Sequence, residues 1–145
     1  AEGHLYMDDG QTFAYRDDQA FLARKFTLTR DGPGHLRLAS TSLTGRDIHT
    51  SASSTALQVP GNAYEQETSS MRVERIIVYG LPEVHRIIAP DAHGHETSLA
   101  FTYTSGTSRS PTASDASARL ASRLEIRDPR VLIGQDWSIL MEIAP

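Results

Sequence analysis

Apolar side chains in this chain recur at every second residue and almost nowhere at helical spacing. Phe26 and Leu28 alternate with threonines, Leu36 and Leu38 with Arg37 and Ala39, and Leu124 and Ile126 with Glu125 and Arg127. Leu99, Phe101 and Tyr103 alternate with Ala100 and Thr102, and Trp137, Ile139, Met141 and Ile143 share one parity in the terminal segment. Successive side chains of a strand point to opposite faces, so this spacing gives half-buried antiparallel strands. The continuous run RIIVYG (75–80) reads instead as a central strand covered on both faces.

Helical signals are few. DDQAFLARKF (17–26) could open as one turn after an aspartate cap, but Phe26 and Leu28 carry it into alternation, and it reads as strand. SDASARLASRLEI (114–126), with Asp115 as cap, likewise runs into the Leu124/Ile126 alternation. About 8–10 short strands separated by turn signals predict an all-β fold, an antiparallel β-sandwich.

Two stretches interrupt the pattern. Residues 39–70 and 104–118 are rich in Ser and Thr, and both read as long surface loops or insertions that pack no core. Nothing marks a second domain, so residues 1–145 are expected to form one β-sandwich. A chain of 145 residues is long enough for a core without staples. It needs to be, because it contains no cysteine, which excludes disulfides, thiolate catalysis and cysteine metal sites.

Charge excludes further classes. The formal net charge is −4, Lys25 is the only lysine, and the arginines are scattered, so no nucleic-acid partner is expected. No apolar run approaches the ~18–20 residues of a bilayer span, and no membrane insertion is expected. The N-terminal residues lack a basic-then-apolar leader pattern, and MEIAP (141–145) carries no retention tetrapeptide.

Few residues invite chemistry. Asp8-Asp9-Gly10 could be a carboxylate pair or a calcium loop. Adjacent strand residues face opposite sides, however, and Gln11-Thr12-Phe13 supplies few further oxygen ligands. Asp-Gly favours positive φ, so the expectation is a hairpin turn between a strand ending Leu5/Met7 and one beginning Phe13/Tyr15. His93 and His95 of HGHE (93–96) would share a strand face suited to zinc or copper, yet a metal needs three or four convergent ligands, and the segment reads as a solvated loop. Gly32-Pro33-Gly34 is a turn, Asp17-Asp18 an exposed turn pair, and Trp137 a core anchor in preference to a sugar platform. No G-x-S-x-G elbow or phosphate loop occurs. The sequence thus offers no catalytic, substrate-binding or metal-ligating residue, and implies no cofactor.

The order of several segments carries a resemblance. LYMDDGQTFAY (5–15) with FLARKFTL (21–28), YEQETSSMRVERIIVYG (64–80), TSLAFTY (97–103) and DWSILMEIAP (136–145) resemble the distal C-terminal β-domain of glycoside hydrolase family 31. Within that family the chain is most similar to catalytic (alpha) subunits of the endoplasmic-reticulum glucosidase II type. The Ser/Thr-rich stretches 39–63 and 104–118 depart from that pattern as insertions. The resemblance implies a retaining α-glucosidase that trims α-1,3-linked glucose from N-glycans in the endoplasmic-reticulum lumen. Its two catalytic aspartates sit on an upstream (β/α)₈ barrel absent from this chain, and no aspartate here matches either motif. The chain alone is then inactive. Its implied partners are the upstream catalytic portion, a non-catalytic beta subunit and, through the whole enzyme, the N-glycan. The competing readings are an autonomous carbohydrate-binding β-sandwich, which needs two or three exposed aromatics on one face, and a structural sandwich of unrelated origin.

Overall fold

The computed structural model describes residues 1–43, 63–90, 95–106 and 121–144. Nine strands run through them: β1 (Glu2–Met7), β2 (Leu22–Arg30), β3 (His35–Ser42), β4 (Arg75–Tyr79), β5 (Val84–Pro90), β6 (Glu96–Ser98), β7 (Phe101–Thr104), β8 (Arg123–Arg127) and β9 (Trp137–Ile143). Two short helices, α1 (Ala14–Asp17) and α2 (Ala63–Glu67), interrupt them. The strands form a six-stranded sheet in the order β1-β2-β3-β9-β5-β6 and a three-stranded sheet in the order β4-β8-β7. Every pairing is antiparallel. This is the all-β sandwich that the alternation predicts.

Parity explains the core. Ile139, Met141 and Ile143 of β9 point between the sheets, where they meet Leu36, Val84 and Ile87 of their own sheet and Leu124 and Ile126 of β8. Leu28, Leu38, Ile76, Val78, Phe101, Tyr103 and Trp137 pack around that centre. β9 lies inside the larger sheet, paired to β3 on one side and β5 on the other, so its inward row is flanked by strands on both sides.

Gly32-Pro33-Gly34 joins β2 to β3 as the sequence implies. Gly32 and Gly34 have φ of +92° and +74°, which only glycine adopts without strain. The Gly34 carbonyl also accepts a hydrogen bond from the Ile143 amide at 2.9 Å, tying the turn to the end of β9.

Five sequence expectations need correction. RIIVYG forms β4, which lies at the end of its sheet order with one face outward: Ile77 is 38% exposed and Tyr79 63%. It is not a central strand covered on both faces. Phe13 and Tyr15 start no strand, because residues 14–17 turn into α1 and pairing with β1 begins only at Leu22. The strand reading of 17–26 holds only from Leu22 onward. The first Ser/Thr-rich stretch is not loop throughout: residues 39–42 continue β3, and α2 lies within it. The run TSLAFTY (97–103) is not one strand. β6 belongs to the large sheet and β7 to the small one, with buried Leu99 at the crossing, where its amide donates to the Ile87 carbonyl at 2.9 Å. Of the second Ser/Thr-rich stretch, Thr104 ends β7, and residues 107–118 lie outside the described residues.

Candidate functional site

The Asp8-Asp9-Gly10 segment is a tight polar loop held by its own carboxylates. The Gly10 amide donates to Asp8 Oδ1 at 2.8 Å, and the Gln11 and Thr12 amides both donate to Asp9 Oδ1 at 3.1 Å. The Thr12 hydroxyl donates to Asp9 Oδ2 at 2.5 Å, and this bond, followed by the amides of Thr12 and Gln11, holds the Asp9 pKa below the ordinary value. Gly10 takes φ +64°, so the turn chemistry read from Asp-Gly is present, although α1 follows where a strand was expected. Such a loop uses its carboxylate oxygens locally, and a lowered pKa suits neither proton donation nor a poised base at neutral pH. The Tyr64 hydroxyl of α2 donates to the Asp8 carbonyl at 3.0 Å and pins the loop from outside.

Aromatic rings surround this loop. Phe13 is 64% exposed, and Tyr6 and Tyr15 are also open to solvent. Their faces are nevertheless engaged: Tyr6 stacks on Phe21 at 5.5 Å between centroids, Phe13 lies 6.3 Å from Tyr15, and the Arg16 guanidinium sits 5.2 Å over the Phe13 ring.

His95 is exposed just before β6 and Glu96 opens that strand, while His93 and Gly94 lie outside the described residues. No group of three or more His, Asp or Glu poised to hold a metal occurs among the described residues. Asp17 closes α1 and pairs with its neighbour Arg16 at 2.8 Å, and Asp18 caps the helix end. Trp137 packs in the core rim against Phe26, with ring centroids 6.0 Å apart, as the anchor reading expects.

Two ionic clusters went unmarked in the sequence reading. Arg24 of β2 is 1% exposed. It shares its face with Phe26 and Leu28, and its guanidinium donates to Ser40 Oγ at 3.0 and 3.1 Å, to the Gly134 carbonyl at 3.3 Å, to the Gln135 carbonyl at 2.5 Å and to Asp136 Oδ1 at 2.8 Å. Asp136 Oδ1 also accepts the Ser42 amide at 2.7 Å. Arg24 therefore locks the 134–136 turn onto β2 and β3. The signal was its parity: an arginine in phase with Leu22, Phe26 and Leu28 must be buried and must find acceptors.

The second cluster centres on Glu125 of β8. It faces away from the core, yet its side chain is only 7% exposed, because three guanidiniums enclose it: Arg123 at 2.6 Å, Arg127 at 2.8 Å and Arg75 of β4 at 3.3 Å. The Arg123 contact, above all, holds the Glu125 pKa below the ordinary 4.5, and Glu125 in turn raises that of Arg123. The R-L-E-I-R alternation of 123–127 places all three charged residues on one face.

No family model matches the chain. Its sequence is 24% identical over 139 residues to human neutral alpha-glucosidase AB; the match covers 96% of this chain and 11% of that protein. The chain thus spans about a ninth of the relative it matches, and the likeness, though weak, runs along nearly all of it. It supports a relationship to a region of a family 31 glycoside hydrolase, and so a glycosidase-related β-sandwich.

Proposed function

We propose that the chain is the distal, non-catalytic β-sandwich of an α-glucosidase of the glucosidase II type, supporting a catalytic barrel carried on an upstream segment. The carrying observation is the likeness to human neutral alpha-glucosidase AB over 96% of the chain, which makes up only 11% of that relative. The proposal extends to trimming of α-1,3-linked glucose from N-glycans, to the endoplasmic-reticulum lumen and to a non-catalytic beta subunit as partner. Those three rest on the glucosidase II resemblance alone.

A carbohydrate-binding module is the second reading, favoured by the exposed Tyr6, Phe13 and Tyr15 around one loop. Arg16 over Phe13 and Phe21 on Tyr6 leave less ring surface for a sugar than that reading wants. Two assays on the purified chain separate them. The accessory-domain reading expects no hydrolysis of 4-nitrophenyl α-glucoside and no glycan-array signal. A sugar-specific array signal lost in Phe13→Ala would favour the module, and hydrolysis by the chain itself would overturn both.

A further inference from the structure

The outer face of the three-stranded sheet is unlike the rest of the surface. Arg75, Ile77 and Tyr79 form the outward row of β4, and Arg127, Glu125 and Arg123 lie directly opposite them on β8. Three arginines against one glutamate leave this face at +2 in a chain of formal net charge −4, so all other residues together carry −6. The next charged residues along the two segments, Glu74 and Asp128, then Arg72 and Arg130, cancel. Glu125 clusters the three guanidiniums. Each guanidinium carries five N–H donors in a fixed fork; Glu125 is reached by Arg123 at 2.6 Å, Arg127 at 2.8 Å and Arg75 at 3.3 Å, and Arg123 also bonds to Tyr79. Between the two outer arginines and the sheet end lie Ile77 and Tyr79, both open to solvent.

We propose that this face binds an extended acidic peptide segment laid along β4. Several features favour that occupant. The arginine forks match carboxylates bidentately, and Glu125 already shows how this surface holds one. The rows repeat every second residue, the spacing of an extended strand, so the side chains on one face of a peptide meet the Arg75–Ile77–Tyr79 row, with Arg123 and Arg127 beyond it on β8. β4 lies at the end of its sheet order, where strand addition adds main-chain hydrogen bonds. A nucleic acid fits less well: its charge would extend over the surrounding acidic surface, and it gains little from Ile77. The proposal does not depend on the glycosidase reading.

The test is fluorescence anisotropy with the full chain and a labelled heptapeptide of alternating Glu and Val. The same peptide with Lys in place of Glu and a labelled oligodeoxynucleotide serve as controls, all at one ionic strength. The expected result is saturable binding of the Glu peptide alone, weakened as salt rises and reduced about tenfold by Arg127→Glu. Tyr79→Ala should reduce it a few-fold, by loss of the apolar contact. Arg127 is 74% exposed, and circular dichroism melting confirms that each variant is folded. No binding, equal binding of the Lys peptide, unchanged affinity in folded Arg127→Glu, or tighter binding of the oligonucleotide would each overturn the proposal.

Discussion

Arg24 and Glu125 are both charged side chains withdrawn from water, and they belong to opposite kinds of surface. Arg24 is sunk at the core-facing side of the large sheet, where backbone carbonyls, one serine and one aspartate satisfy it. Glu125 lies on the outward side of the small sheet and is hidden only by the arginines that surround it. The first arrangement fixes the fold, because it ties β2 to acceptors from two distant parts of the chain, β3 and the 134–136 turn. The second adds charge to an open face, where side chains can rearrange around a partner. Both sheets contribute to the shared core, and the small one adds a charged exterior.

The contrast is broken most forcefully at matched isoleucines. Ile139→Ala removes a fully buried side chain from β9 and should cost about 4 kcal/mol in urea unfolding. Ile77→Ser on the outer row of β4 should stay within about 0.5 kcal/mol. Equal costs would mean that the small sheet's outer face is packed in solution. Next in size, Arg24→Met should destabilise by about 3 kcal/mol, since it strands the Gly134 and Gln135 carbonyls without donors. Asp136→Asn should cost less, because Asp136 remains largely solvated.

Acid sharpens the comparison from the other side. Glu125 and Asp9 have pKa values lowered in the folded chain, by Arg123 and by Thr12 respectively. A lowered native pKa contributes stability that is fully present above the unfolded value and lost as pH falls through the native one. The urea midpoint should therefore hold at neutral pH and decline below the ordinary carboxyl values of 4.5 and 3.8. Glu125→Gln should flatten part of that decline while leaving the Asp9 share. Gly10→Ala should also be mild: nothing lies within 4 Å of the added Cβ, so only the strain of φ +64° remains, about 1 kcal/mol.

How far the sequence foretold this depends on what each residue needed from afar. β9 was legible because Trp137, Ile139, Met141 and Ile143 declare one face by themselves. RIIVYG was misread because an apolar run reports hydrophobicity without reporting how many neighbours the strand will have. Phe13 and Tyr15 imitate strand alternation, but Asp9 draws the Gln11 and Thr12 amides into a polar loop that leads into α1. Residues 39–42 looked too rich in Ser and Thr for sheet, yet β-branched threonine suits a strand, and Ser40 is where Arg24 finds its hydroxyl. Of the candidate site, the Asp-Gly turn was legible, whereas the two ionic clusters depend on partners from 16 to 112 residues away or on charge alternation across neighbouring strands.

The account's central claim is that this sandwich serves a catalytic body it does not itself contain. Native mass spectrometry of the protein isolated from its source with an antibody against the chain tests that most directly. The account predicts that the 145 residues travel with or within a polypeptide assembly far larger than 15.9 kDa, and that this assembly hydrolyses an α-glucoside. A folded, solitary 15.9 kDa species with no hydrolytic activity in its company would contradict it.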